Sequence, residues 1–232
     1  MVMATATRPG YADLPRMISR MTGDEKHEPA STSTVDVLWV LYDRVLDISP
    51  ERMTHPRRDR FLLSKGHGPM AFYAVLAAKG FLDEAELAHW TKPSSRLGAH
   101  PDRTRVPGAE ISSGSLGHGL PLAVGTVLGL RAQRLDRPKV VVLLGDGELD
   151  EGSNHEAIAL AGRLGLTQLT AVVVDNSSAT HGWPGGIAGR FEVEGWTTRT
   201  VDGRDHEALY AAFTEPHPDR PLCVVANVEP KG

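Results

Sequence analysis

Apolar and polar positions follow two different periods along this chain, and the change of period is sharpest across residues 140–176, VVVLLGDGELDEGSNHEAIALAGRLGLTQLTAVVVDN. Val140, Val141, Val142, Leu143 and Leu144 form an unbroken apolar run closed by Gly145-Asp146-Gly147, the mark of a strand buried on both faces of a parallel sheet. Over residues 151–164 the apolar positions Ala157, Ile158, Leu160, Ala161 and Leu164 recur at steps of three and four, which gives a helix one apolar face. A second apolar run ends at Asp175-Asn176. Strand, turn, helix and strand make a βαβ unit with parallel strands and a right-handed crossover. Asp146 and Asn176 are thereby placed at the carboxyl ends of two strands, on one edge of the sheet.

The same reading extends in both directions. Residues 1–15 hold Pro, Gly and small polar groups and are expected to form an N-terminal arm. A helix is expected from near Asp13 through Met17, Ile18 and Met21, then a polar loop containing His27, then a helix over 35–46. Phe61, Leu62 and Leu63 predict a short strand, Gly66-His67-Gly68 a turn, and residues 70–78 a helix stopped at Gly80. A polar helix over 83–90 and an irregular loop over 97–106 follow. From Gly117 a strongly apolar helix carries Leu122, Val124, Val127, Leu128 and Leu130, with Gly125 and Gly129 spaced for close packing. Beyond Asn176 the run SSATHGWPGGIAG predicts a loop; a strand entry at FEVEGW, a turn at Asp202-Gly203, a helix over 206–213 and a last strand over 222–228 complete the chain. The sum is an α/β fold, an open, mostly parallel sheet with helices on both faces. With no repeat, low-complexity tract or linker, residues 16–232 are expected to form a single domain.

Composition narrows the function classes. A net charge of −4 in 232 residues argues against nonspecific nucleic-acid binding. No apolar run approaches the 18 or more residues of a membrane span, and the N-terminus lacks the apolar core of a signal peptide. The sole cysteine, Cys223, stands in the apolar run PLCVVANV, where a buried thiol is expected, and no disulfide is possible within the chain. The expected location is cytoplasmic, with no membrane partner.

Open α/β sheets bind ligands at the carboxyl ends of their strands. The Asp146 carboxylate and Asn176 carboxamide offer hard oxygen ligands suited to Mg2+ or Ca2+. The glycines beside Asp146 permit close approach, and the N-terminus of the following helix favours an anion. A diphosphate bridged by a divalent cation fits. The plainer alternative is a strand-to-helix turn whose Asp caps the helix. His67, between two glycines, is either a turn residue or a titratable group at the same edge.

A GDG motif followed after about thirty residues by Asn resembles the metal and diphosphate fingerprint of thiamine-diphosphate enzymes, and GDGELDEGSNHEA resembles its transketolase form. DRFLLSKGH, the pair His100-Pro101 and the turn Gly114-Ser115-Leu116 resemble further transketolase blocks. The resemblance implies a thiamine-diphosphate-binding fold of the diphosphate-binding type. It implies that Asp146, the Asn176 side chain and the Ser178 carbonyl bind the metal, and that the Gly147 N–H meets the diphosphate. Glu151 and Glu156 match acidic positions near the cofactor and the subunit contact. The backbone of Gly114, Ser115 and Leu116 is implied at the aminopyrimidine end, His67 at the diphosphate or reactive ring, and His100 facing the substrate. His27 stands nine residues before Asp36, as does the histidine of the family's GHPG-type loop, with Lys26 and Glu28 in place of its glycines. His118 occupies a common Gln position and is read as structural; His181 has a variable counterpart and receives no role.

The matching blocks span residues 27–228 and cover only the first of the three domains of a full transketolase. The resemblance therefore implies the N-terminal subunit of a split transketolase. The C-terminal subunit would supply the pyrimidine-binding domain in an α2β2 heterotetramer, and this chain alone would be inactive. The implied reaction moves a two-carbon, glycolaldehyde-type unit from a ketose phosphate to an acceptor, with His27, His67 and His100 as catalytic groups. Three alternatives stand beside it: transfer to a lipoyl or carrier-protein thiol, a 2-oxo-acid dehydrogenase subunit, and a non-catalytic regulatory paralogue.

Overall fold

The apolar runs pair as strands of one parallel sheet in a computed structural model that describes residues 8–22, 32–180 and 182–230. The strands are β1 (Arg60–Leu63), β2 (Val140–Gly145), β3 (Leu169–Asp175), β4 (Thr197–Asp202) and β5 (Leu222–Asn227), in spatial order β1-β2-β3-β5-β4. Every pairing is parallel. β2 and β3 are adjacent and run in register from Val140 opposite Leu169 to Gly145 opposite Val174, as the βαβ reading requires.

The α-helices are α1 (Leu14–Ile18), α2 (Val35–Val40), α3 (Met70–Ala78), α4 (Gly119–Ala132), α5 (Gly152–Arg163), α6 (Gly186–Glu192) and α7 (His206–Thr214). Strand side chains alternate between two cores. Phe61, Leu63, Val141, Leu143, Val172 and Val224 pack with α1, α2, α3 and α7. Leu62, Val142, Leu144, Val173 and Val225 pack with α4, α5 and α6. This is the expected sheet covered on both faces. Cys223 lies fully buried in β5, and burial pushes its thiol pKa up, so it is a core thiol. Among the described residues no helix is long and apolar enough to cross a membrane.

Several local expectations are corrected. Residues 186–189, expected as the end of a loop, and Phe191-Glu192, expected as a strand entry, instead lie in α6, because Phe191 is fully buried against the second core with Ile187 and Ala188 beside it; packing outweighs the small-residue composition. The helix expected over 35–46 is α2 followed by a π-helical turn, Leu41–Val45. The polar helix over 83–90 is a 3-10 helix, Glu84–His89, started by an Asp83–Glu86 capping box. Tyr11 and Leu14, within the expected arm, are docked: Leu14 is fully buried and the Tyr11 hydroxyl donates to Asp36 Oδ1 at 2.5 Å. Among the described residues Gly125 and Gly129 do not serve close packing, since a Cβ on either would meet nothing within 4 Å. They face outward from α4 with Leu122 and Leu128, which are 48% and 39% exposed.

Candidate active site

The turns after β1, β2 and β3 meet at the carboxyl edge of the sheet. Asp146, directly after β2, is only 2% exposed. Its N–H continues the ladder by donating to the Val174 carbonyl at 3.2 Å. Its carboxylate reaches the neighbouring turn: Oδ2 accepts from the N–H groups of Ser178 (2.5 Å) and Ala179 (2.9 Å), and Oδ1 from the Ser178 hydroxyl (2.7 Å). It makes no cap bond to the 3-10 turn Gly147–Asp150 that follows, so the plain capping alternative fails. The N–H groups next to Asp146 belong to that 3-10 turn and not to a helix terminus, because α5 starts only at Gly152.

Asn176, at the tip of β3, is 4% exposed and its Oδ1 has no hydrogen-bond partner. Such an atom costs about 1–3 kcal/mol. The Asp146 carboxylate at the tip of the adjacent strand accepts its hydrogen bonds from Ser178 and Ala179. A divalent cation would occupy the unpartnered carboxamide oxygen and meet a carboxylate beside it. The available donors are a carboxylate, a carboxamide and the Ser178 carbonyl, whose oxygen lies 3.4 Å from where a Cβ on Gly147 would stand. An all-oxygen set of this kind fits Mg2+ or Ca2+. Among the described residues no group of three or more His, Cys, Asp or Glu could hold a metal, so a nitrogen- or sulfur-rich centre is not formed there.

More unsatisfied atoms gather nearby. Glu148 Oε2, Asp150 Oδ1 and Asn154 Oδ1 are buried without partners on the segment after Asp146. Buried polar groups are ordinarily paired, so this concentration marks a site built for something else to complete. Ser177 adds a left-handed φ of +57° directly after Asn176, the type of backbone strain that collects at binding sites.

The histidines expected from separate blocks do converge in part. The rings of His67 and His100 lie edge to face with centroids 5.4 Å apart. Their turns close on one another because two positions lack a side chain. A Cβ on Gly66 would lie 2.6 Å from Gly114 N, and one on Gly114, at φ +126°, would lie 2.8 Å from His100 Cδ2. Ser115 and Leu116 form the exposed crest of this turn, and His118 folds back on it with Nδ1 3.1 Å from the Ser115 carbonyl. Glu151 is exposed but borders the turn, its Cβ 2.7 Å from the place a Cβ on Gly117 would take; Glu156 is exposed on α5. His27 and His181 lie outside the described residues.

Sequence reasoning assigned no role to Glu148. The side chain is 3% exposed; Oε1 accepts from the Ser64 hydroxyl and from the Gly117 N–H at 3.0 Å. Burial raises its carboxyl pKa, opposed by those hydrogen bonds and by Lys65. An acidic residue in a first helical turn looks solvated in sequence, and only the distant Ser64 and Gly117 reveal otherwise.

Residues 20–227 match the family described as transketolase, thiamine diphosphate binding domain. A protein of Rhodococcoides fascians named "Ferredoxin fas2" is 61% identical over 94% of this chain and 72% of its own length. One of the subunits of the apulose-4-phosphate transketolase of Actinobacillus succinogenes is 35% identical over 87% of this chain and 75% of its own. Among solved structures, a Pichia stipitis transketolase complexed with sedoheptulose 7-phosphate superposes with a TM-score of 0.77 at 26% identity, covering 94% of this chain but 36% of that one. The chain thus spans about a third of a full-length transketolase. With the strand order, the paired Asp146 and Asn176 and these matches together, the chain belongs to the transketolase family of thiamine-diphosphate-dependent transferases, as its thiamine diphosphate binding domain.

Proposed function

We propose that residues 16–232 act as one diphosphate-binding domain, the N-terminal component of a two-component transketolase that transfers a two-carbon unit from a ketose phosphate to an acceptor. The observation that carries this reading is the pairing of buried Asp146 with the unpartnered Asn176 Oδ1 at the tips of adjacent strands. Asp146, the Asn176 carboxamide and the Ser178 carbonyl would hold Mg2+ (or Ca2+), with the Gly147 N–H on the diphosphate. When bound, thiamine diphosphate supplies the nucleophilic carbon that takes up the two-carbon unit. The chain's own groups orient and exchange protons: His67 and His100, side by side, face the reacting end, and His27, outside the described residues, is assigned the same role. The backbone of Gly114, Ser115 and Leu116 supports the aminopyrimidine end, and Glu151 stands between it and the subunit contact.

Two observations support a partner bearing the pyrimidine-binding domain. α4 presents Leu122, Gly125, Leu128 and Gly129 outward, and among the described residues nothing stands within 4 Å of a Cβ on either glycine. The Actinobacillus relative, three quarters of which this chain covers, is itself named as one component of a transketolase. We assign the assembly an α2β2 stoichiometry in the cytoplasm. The ferredoxin name of the other relative does not carry over, because iron–sulfur clusters of that class take four thiolates and this chain has only the buried Cys223. The KGH and His-Pro blocks, which meet at the site as His67 and His100, favour a transketolase over a 2-oxo-acid dehydrogenase subunit.

The test is reconstitution with a C-terminal transketolase subunit, thiamine diphosphate and Mg2+. The pair is expected to transfer two carbons from a ketose phosphate to an aldose, and the chain alone is expected to be inactive. Turnover by the isolated chain overturns the two-component reading; transfer to a lipoyl or carrier thiol but no sugar moves the acceptor; cofactor binding without transfer to either marks a regulatory paralogue.

A further inference from the structure

Glu148 ties together three segments that carry the site. Its Oε1 accepts from the Ser64 hydroxyl, at the end of β1 before His67, and from the Gly117 N–H, in the turn after Gly114. Ser64 Oγ in turn accepts from the Gly119 N–H at 3.0 Å. The Glu148 carbonyl accepts from Asn154 Nδ2 at 2.6 Å, which holds the segment after Asp146 to α5. Burying a carboxyl with Oε2 unpartnered is a poor way to gain stability, since an apolar group of similar volume ordinarily serves better. Such a group could not accept two donors from two turns at once.

We propose that Glu148 is a positioning residue that fixes the 114–119 turn against the turn after Asp146, and so sets the spacing between the diphosphate end and the aminopyrimidine end of the cofactor site. The inference rests on the site reading given above. It distinguishes two ligands: thiamine diphosphate would span both turns and need the spacing, whereas inorganic pyrophosphate with Mg2+ would need only the turn after Asp146.

The experiment compares wild type, Glu148→Ala, Glu148→Gln and Ser64→Ala in the full chain assembled with its C-terminal partner subunit. Calorimetry follows thiamine diphosphate and magnesium pyrophosphate, and amide hydrogen exchange follows Gly117 and Gly119 without ligand. For Glu148→Ala the expected result is at least a tenfold loss of thiamine diphosphate affinity, pyrophosphate affinity within twofold, and at least tenfold faster exchange at both amides. Glu148→Gln keeps the Oε1 acceptor and is expected to restore all three to within about threefold. Ser64→Ala, a milder change should Glu148→Ala fold poorly, is expected to weaken the cofactor threefold or more with pyrophosphate unmoved. Equal loss of both ligands, unchanged exchange at Gly117 and Gly119, or no rescue by Gln overturns the role of Glu148. Failure of wild type to bind either ligand overturns the site reading instead, and the exchange data then judge Glu148 alone.

Discussion

Two polar clusters sit at the carboxyl edge of the sheet, and they are finished differently. At the β4–β5 side, Asp36 is buried with every oxygen engaged: Oδ1 meets Tyr11 at 2.5 Å and His206 at 2.8 Å, and Oδ2 accepts from Arg204 at 2.7 Å. Arg204 also bonds Glu229 and the Thr32 carbonyl, so the cluster clamps α2, the β4–α7 turn and the segment after β5. At the β2–β3 side, Asp146 accepts from the neutral groups of Ser178 and Ala179, while Asn176, Glu148 and Asn154 each keep a buried oxygen without a partner among the described residues. Complete satisfaction marks architecture; shared incompleteness marks a place completed by a ligand. Both clusters contain a buried Asp, and burial alone would not separate them.

Substituting the two aspartates breaks the comparison most directly. Asp146→Ala is expected to lower kcat/KM of the reconstituted enzyme by at least about 1000-fold, beyond the 10–100-fold typical of a residue behind a metal ligand, with little change in the melting temperature of the ligand-free chain. Asp36→Ala is expected to do the reverse. It strands Arg204 and His206, and chemical denaturation should lose about 3 kcal/mol, the low end for a broken buried pair because Arg204 keeps Glu229. Its cofactor affinity, measured below the new midpoint, should stay within about threefold. Equal stability losses in the two variants would erase the distinction.

The sequence carries this distinction only in part. The apolar runs of β1, β2, β3 and β5 and the three-four spacing of α5 were legible because burial on both faces leaves no polar positions to confuse the period. The convergence of Asp146 with Asn176 was legible because a βαβ unit fixes where its strands end. α6 was not, because Phe191 and Ile187 become a helical face only when the second core is present. The burial of Glu148 depends on Ser64 and Gly117, 84 and 31 residues away along the chain, and no local pattern encodes such a bond. The Asp36 cluster likewise joins residues up to 172 positions apart.

A subtler break uses the unpartnered carboxamide. Asn176→Leu replaces it with an apolar group of similar size, and the ligand-free chain is expected to gain up to about 1 kcal/mol in denaturant titration, since an unsatisfied oxygen is removed. The same variant should bind thiamine diphosphate with Mg2+ about 10–100-fold more weakly. A loss of stability would mean that Asn176 is satisfied by the protein itself, and the β2–β3 cluster would then resemble the Asp36 cluster.

The smallest expected effect is a pH slope from Glu148. Burial raises its carboxyl pKa above the ordinary value of 4.5, and the bonds from Ser64 and Gly117 and the charge of Lys65 oppose this without reversing it. As pH rises past about 4.5 the unfolded chain releases this proton first while the folded chain keeps it, so stability falls with pH until the folded group also ionises. Glu84, Glu86, Glu207 and Glu229 are shifted the other way, each chiefly by a hydrogen bond from an arginine, and they mask the slope in the wild-type curve alone. The difference between Glu148→Gln and wild type isolates it, because the exposed pairs are common to both. That difference is expected to grow in favour of Glu148→Gln from about pH 4.5 upward and then level off. A flat difference would mean that Glu148 ionises as freely as a surface carboxylate, and the contrast between the two clusters would then rest on Asp146 and Asn176 alone.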